Sequence, residues 1–323
     1  MMASSRRARI LVIGHSCLDS IAISATAPPD DGKTEASRIW IGPGGPATNA
    51  AIALARLGHD VRLATSLGDD PAGTMIGAQL LAEGVRLLVP AAPGAKSSLA
   101  QIRAAGEARS VLWRRGVLPQ IEPDLALITT WVESCDLLYV DGHEVAAASV
   151  ALKLAHEAGI RCVADLGSLR DGSEEWSVML SSAVATPRWL ARRFAGHTSL
   201  GDALNALSDV SPDSAMVGVS MGALGGFASV GGNQLAWTAR KTGVVDSTGA
   251  GDAFHAGLAD GLVQGMTPQE ALDWSATLAA AVCRAPGHSA LPADRKELAL
   301  WHGRWGYRLA PATDILTSPL GSP

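Results

Sequence analysis

Buried-strand runs and helical stripes alternate along most of this chain. Ile10 to Ile13 is wholly apolar and closes at Gly14, the pattern of a strand covered on both faces. Ala47 to Leu57 keeps helical spacing and stops at Gly58, Val61 to Ser66 reads as the next strand, and Ala72 to Glu83 as the next helix. The pattern returns with strands predicted at Leu137 to Val140, Cys162 to Asp165, Val184 to Thr186 and Met216 to Val219. A helix is predicted at Ala146 to Ala158, and another at Ala253 to Val263 with Phe254, Leu258 and Leu262 on its apolar face. Ala271 to Val282 is too short to span a bilayer and contains Asp273, so it reads as a core helix. Alternation of this kind predicts an α/β fold, a mainly parallel sheet with helices on both faces.

Two stretches break the rhythm. Ala27-Pro28-Pro29-Asp30-Asp31-Gly32 marks a loop, and Thr34 to Ile41 partly alternates, as a half-exposed strand does. Ser98 to Arg103 and Arg109 to Trp113 read as antiparallel strands around a turn at Ala105-Gly106-Glu107. Segments near 18–41 and 97–118 are therefore expected to form a small β-sheet lid outside the core. Trp301 to Pro323 carries Pro311, Pro319 and Pro323 and reads as an appended C-terminal tail, leaving 9–300 as the main domain.

Composition narrows the classes. With 323 residues, 47% of them hydrophobic, the chain has ample material for a core. A formal net charge of −5 gives no footprint for nucleic acid. Arg6, Arg7 and Arg9 precede a buried-strand pattern and read as a solvated tail, and Ile10 to Gly14 is too short for a secretory leader. Cys17, Cys135, Cys162 and Cys283 lack C-x-x-C spacing and fit reduced thiols rather than a metal site. The chain reads as cytoplasmic, with no membrane or nucleic-acid partner.

Chemistry concentrates in Val244-Val245-Asp246-Ser247-Thr248-Gly249-Ala250-Gly251-Asp252-Ala253-Phe254. Small residues force a tight turn, and the helix after it leaves N–H groups at the positive end of its dipole, where anions bind. An acid beside bound phosphate is a poor choice for affinity. Asp252 makes sense there as a base taking a proton from an attacking hydroxyl. On this motif alone, complementing the helix dipole explains Asp252 equally well.

A second Gly-rich turn runs from Ile41 to Asn49. Gly44-Gly45 permits close approach to a ligand, and Asn49 on the first helical turn can donate and accept. Gly42, Gly44 and Ala47 also mimic the dinucleotide fingerprint, with Asp69 and Asp70 where its ribose-binding acid belongs, so an NAD(P)-dependent oxidoreductase is the rival from another class. Pro43 and Pro46 count against it by removing N–H donors. Gly32-Lys33-Thr34 fails as a Walker A loop because Ala27 stands where that motif needs glycine and Asp30 and Asp31 repel phosphate; Lys33 is left as a lid or surface lysine. Asp19 follows the first strand, where ligands collect in open α/β sheets, and either holds hydroxyls or caps a turn. Ser220-Met221-Gly222-Ala223-Leu224-Gly225 suits a backbone contact with a nucleotide.

With these parts in this order, the sequence resembles the ribokinase-like (PfkB) carbohydrate kinase family from about Arg9 to Leu298. The family signature Asp-Thr-x-Gly-Ala-Gly-Asp is matched by Asp246 to Asp252, with Ser247 replacing its threonine, and the N-terminal signature by Gly44, Gly45, Asn49 and Leu57-Gly58. Leu67-Gly68-Asp69-Asp70 then follows, as is usual in the family. The resemblance implies a Rossmann-like core with a small β lid, ATP with Mg²⁺ as phosphoryl donor, and a small sugar or sugar-like polyol as acceptor of phosphate at a primary hydroxyl. By position, Asp252 resembles the catalytic base and Gly249, Ala250 and Gly251 the anion hole. Asp19, Gly44, Gly45 and Asn49 resemble the substrate set, and Ser220, Gly222, Gly225, Asp246 and Thr248 the ATP set. Cys283 to His288 lies where the family closes around adenine. Many members carry Asn-x-x-Glu where this chain reads Thr186-Pro187-Arg188-Trp189, a departure shared with the ketohexokinase-like branch that bears on Mg²⁺ handling. A nucleoside kinase is the nearest rival, weakened by the absence of aromatics between Gly14 and Ile39. A regulator that kept the fold and lost catalysis is a further rival, against which the intact Gly249 to Asp252 stands. Lids of two subunits pack together in several relatives, and Trp40, Leu99, Ile102, Val111 and Trp113 lead to the expectation of a homodimer by the same means.

Overall fold

In the computed structural model, which describes residues 6–26, 31–105, 108–167, 172–173, 176–305 and 316, the alternation closes into two sheets. The chain enters through β1 (Arg9–Ile13), leaves the core for β2 (Cys17–Ile23) and β3 (Arg38–Gly44), and returns through α1 (Pro46–Arg56), β4 (Asp60–Ala64), α2 (Pro71–Ala82) and β5 (Arg86–Leu87). It departs again for β6 (Ser98–Ala105) and β7 (Ala108–Arg114). Then come α3 (Leu125–Glu133), β8 (Leu137–Val140), α4 (Val145–Glu157), β9 (Arg161–Ala164), β10 (Ser182–Ala185), α5 (Pro187–Arg193), α6 (Leu200–Asp209) and β11 (Met216–Ser220). A hairpin of β12 (Gly226–Val230) and β13 (Asn233–Trp237) precedes α7 (Ala250–Gln264), α8 (Pro268–Val282) and α9 (Arg295–Arg304), the last of which runs on past residue 301. The loop at Ala27 to Asp30, the turn at Gly106-Glu107 and nearly all of the tail beyond Trp305 lie outside the described residues.

The nine-stranded sheet runs β13-β12-β11-β10-β9-β8-β1-β4-β5, parallel from β5 to β11 and antiparallel at the hairpin. Strands such as β1 and β8 are buried on both faces, which is why they read as unbroken apolar runs. One core layer joins the sheet to α3, α4, α5 and α6, the other to α1, α2, α7 and α8. Local chemistry sets the helix ends. Asp70 caps α2 through Gly73 N with Pro71 just inside, and Thr267 with Glu270 forms a capping box on α8. No helix among the described residues is long and apolar enough to cross a membrane.

The lid is a four-stranded sheet in the order β3-β2-β6-β7, antiparallel except for β2 against β6. The strand expected from Thr34 instead begins at Arg38 and runs through Gly42 and Pro43 to Gly44. Pro43 is tolerated because β3 is an edge strand, where a missing N–H breaks no ladder. Gly42 and Gly44 therefore belong to the lid rather than to a turn after a parallel strand, which removes the structural context that the dinucleotide reading needs. Leu99, Val111 and Trp113 are exposed as expected, but Ile102 is buried beside Ile21 and Ala104 because β6 alternates, with Leu99 on the outer face and Val111 and Trp113 paired on the face of Ile102 and Ala100. Trp40 turns onto the core. Its ring lies edge-on to His288 at 5.2 Å and against Gly287, in the loop after α8. Arg109 on β7 donates to the Ser247 carbonyl at 2.8 Å, so both edges of the lid touch the core.

Candidate active site

The carboxyl ends of β1, β8 and β9 open into one cleft beneath the lid, and each delivers an acid. Asp19 lies on β2 just after β1, Asp141 follows β8, Asp165 follows β9, and Asp252 comes from the first turn of α7. Gly249 caps α7 with φ +80°, a left-handed conformation that suits glycine, so the helix starts at Ala250 rather than at Ala253. The Ala250 N–H turns back to the Ser247 carbonyl at 3.3 Å. Those of Gly251 and Asp252 have no acceptor among the described residues, and they stand at the positive end of a fifteen-residue helix.

Asn49, on the first turn of α1, donates to Asp252 Oδ2 at 2.6 Å, so the two sequence signatures meet. Burial of the Asp252 carboxyl, the charge of Asp165, a hydrogen bond shared with Asp165 and the charge of Asp141 push its pKa up to about 8, against the opposing bond from Asn49. His255, one turn further along α7, points both ring nitrogens at carbonyls, Gly251 at 2.9 Å and Val184 at 2.8 Å, with Asp165 Oδ2 3.6 Å from Nδ1. It ties α7 to β10 and to Asp165. Asp141 accepts from the backbone of His15 (2.7 Å), Ala47 (3.0 Å) and His143 (3.0 Å), which fixes the β1, α1 and β8 ends against one another.

Asp19 is buried and takes a hydrogen bond from the Cys17 thiol at 2.8 Å. Burial pushes its carboxyl up to about 6, the Cys17 bond opposes this, and the charge of Asp246 adds to it. The Gly44 position has a use other than close approach to a ligand: a Cβ there would overlap the Asp19 carboxylate. Gly45 caps α1 at φ +93°, and a Cβ would sit 2.6 Å from the His15 carbonyl. These glycines let Asp19 and His15 lie close to the turn before α1. Asp19, Asn49, Thr248, Gly249 and His288 share the walls of one small cavity.

The residues assigned to the nucleotide fall into two groups. Asp246 Oδ1 accepts from Thr248 N (2.9 Å) and Thr248 Oγ1 (2.7 Å), while Val245 N and Asp246 N donate to the Cys283 carbonyl. Asp246 and Thr248 thus brace the signature loop against the loop after α8. Ser220 ends β11, with Gly222 and Gly225 at positive φ around a short helical turn, farther along the sheet edge. Thr186 caps α5 by accepting from Trp189 N at 3.2 Å, and Trp189 is buried, so this segment serves packing where Asn-x-x-Glu would serve metal. Sequence reasoning missed Asp141, Asp165 and His255. An acid just past each parallel strand was the available signal for the first two.

The chain matches the pfkB family of carbohydrate kinases over residues 7–294. Ribokinase of Bacillus subtilis (strain 168) is 26% identical over 288 residues, spanning 88% of this chain and 96% of that relative. Among solved structures, ribokinase from Thermotoga maritima superposes with a TM-score of 0.75 at 20% identity, covering 92% of this chain and 100% of that one. Ribokinase from Arabidopsis thaliana, complexed with ribose and ATP, gives 0.73 at 20% identity, with 92% and 99% covered. At such identity the two structures establish a shared fold.

Proposed function

The chain belongs to the pfkB family of carbohydrate kinases, and from that premise we propose that it moves the γ-phosphoryl group of ATP onto a primary hydroxyl of a small sugar or sugar-like polyol. The observation that carries this reading is Asp252, a carboxyl of raised pKa held 2.6 Å from Asn49 beside the free N–H groups of α7. Asp252 takes the hydroxyl proton, and the N–H groups of Gly249 to Asp252 face charge developing on the phosphoryl oxygens. Asp19 and Asn49 orient the acceptor, Ser220, Gly222, Gly225, Asp246 and Thr248 frame the nucleotide end, and the closed lid keeps out water.

Mg²⁺ fits as an ion arriving with the nucleotide, because no cluster of three metal-ligating side chains exists among the described residues. When bound it would neutralise phosphate charge, and Asp165 and Asp252, which lie within hydrogen-bond reach of each other, are the carboxylates that would stand beside it. We place the protein in the cytoplasm, where ATP is available, and 9–300 as its catalytic unit. Phosphorus NMR of a sugar panel with ATP tests the reading, since a new phosphomonoester signal must appear with one of them. Transfer only to nucleosides would favour the second reading, for which the Trp113 ring 6.4 Å from His15 is the supporting observation.

The two raised carboxyls give a pH profile with a definite sign. Asp252 works deprotonated, so kcat/KM should rise about tenfold per pH unit up to about 8 and level off above it. Below about 6 Asp19 also takes up a proton and the slope should steepen toward two. A flat profile between these values, measured by initial rates, removes Asp252 as the titrating base. Asp19→Ala should weaken acceptor binding by about 1.5–3 kcal/mol, the range for charged hydrogen bonds, with ATP binding nearly unchanged by calorimetry.

For the assembly we propose a homodimer through the lid. Ile39 and Leu112 are 63% and 75% exposed on its outer face and Trp113 is 52% exposed on the other, more apolar surface than a solvent-washed flap carries. Trp113→Glu should shift the protein toward monomer in light scattering and raise the acceptor KM. A wild-type chain that stays monomeric at high concentration removes the dimer and leaves the kinase reading standing.

A further inference from the structure

A second cavity lies under the lid hinge, with about 360 Å³ of space that opens to solvent. His15 after β1, His143 after β8, Ser66 after β4, Ser98 at the start of β6, and Arg115 just past β7 form its walls, with Glu144 at the rim of α4. Among the described residues none lines both this cavity and the one walled by Asp19 and Asn49, and Asp141 links the two. The backbones of His15 and His143 both donate to Asp141, which also holds Ala47 beside the Gly44-Gly45 strand end. In the sheet order β9-β8-β1, His15 stands two strands from Asp165, about 10 Å at the usual spacing. That is room for a hexose whose reacting hydroxyl faces Asp252 and whose far substituent reaches the imidazoles.

The two ends differ in sign. Asp19, Asp165 and Asp252 crowd the reacting end, so an acidic substituent is repelled there, while Asp141 lies between the two ends with its oxygens taken up by the His15, His143 and Ala47 N–H groups. At the other end the His15 and His143 rings stack at 4.6 Å and 16°, so two imidazoles line the same stretch of wall. Arg115 is exposed and forms no salt bridge among the described residues. Ser98 Oγ already accepts from Gly116 N at 2.9 Å, which leaves its hydroxyl proton to donate. Glu144 opposes, but its Oε2 is turned to Ile121 N at 3.0 Å.

We propose that this cavity is an anion subsite of the acceptor, and that the favoured substrate is a sugar or polyol bearing a carboxylate, phosphate or sulfonate at the end remote from the phosphorylated hydroxyl. The subsite rests on the kinase reading for its orientation but not for its existence. The acid group can bind at one end only, so the charge pattern alone selects which hydroxyl meets Asp252.

The test uses the full-length protein with matched acceptors: a neutral hexose, its aldonic or uronic acid, and its phosphate monoester. Isothermal calorimetry without nucleotide reads binding, and a coupled assay with MgATP reads transfer. The acidic members should bind at least tenfold more tightly than the neutral sugar. Arg115→Gln should erase that advantage while changing the neutral sugar's affinity by less than about threefold, and Glu144→Gln, which can still accept from Ile121 N, should enlarge it. The carboxylate and phosphate arms identify which acid is taken. A neutral sugar or nucleoside bound in preference to every acid, no acid bound at all, or equal weakening of acid and neutral ligands by Arg115→Gln overturns the subsite. Acid binding without phosphoryl transfer keeps the subsite and sinks the kinase reading.

Discussion

Asp252→Asn should lower kcat by about 10²–10⁴-fold while raising the melting temperature at pH 8. The loss follows from removing the proton acceptor while keeping its shape and its bonds to Asn49. The gain follows from linkage. The carboxyl's pKa is pushed above its unfolded value, to about 8, so its contribution to stability is complete at low pH and declines as pH rises through that value. At pH 8 and above the fold carries the cost of a desolvated charge beside Asp165 and Asp141, and an amide removes it. Initial rates with a saturating acceptor and differential scanning fluorimetry at pH 6 and pH 8 read both effects. Near-normal turnover removes Asp252 from the mechanism, and a lower melting temperature at pH 8 removes the claim that its charge is held at a cost.

The second large effect is one of stability alone. Further along α7, Asp260 is fully buried and joined to His59 (2.8 Å), Trp274 (2.7 Å) and both terminal nitrogens of Arg295. Burial favours the neutral carboxyl, yet the bonds from His59 and Arg295 hold its pKa below the ordinary carboxylate range. Arg295→Ala leaves that charge with two partners and no full counter-charge, and should destabilise the protein by about 3–5 kcal/mol in urea unfolding. Asp260 lies roughly 12 Å along α7 from Asp252, so turnover per folded molecule should be unchanged. Combining Arg295→Met with Asp260→Leu should recover much of the loss, because the lone charge goes with its partner. A cost below about 1 kcal/mol for the single change would mean that water reaches Asp260.

The parallel strands and long helices were legible because burial on both faces leaves apolar runs that few other structures explain. The hairpin of β12 and β13 was not, since β13 is mostly exposed and carries Asn233 and Gln234 among its five residues. Nor was α5, a seven-residue helix with three arginines, held by the Thr186 cap and the burial of Trp189 rather than by an apolar stripe. At the site, Asp252, Asn49 and Asp19 were legible from motif and position. Gly44 was legible as a close-approach glycine, but its packing against the Asp19 carboxylate was not, because only tertiary structure brings the two together. Asp141 and Asp165 close predicted strands, where the rule applied to Asp19 applies to them also. His255 carries no such signal, because its partners are carbonyls from separate elements.

The parallel pairing of β2 with β6 sets the order of assembly. Cys17 pairs with Ser98 and Ile23 with Ala104, partners separated in the chain by β3, α1, β4, α2 and β5. Closing so long a loop costs entropy that this pairing alone does not return, so the lid sheet forms after the first βα units have docked. The same asymmetry holds in the native state. The small apolar cluster of Cys17, Ile21, Ala100, Ile102 and Ala104 is thin beside the two core layers, and its strands should exchange their amide protons through partial openings that leave the nine-stranded sheet intact. Access to the cleft is then governed by a subglobal unfolding unit, slow to assemble and quick to open, on a core that need not move.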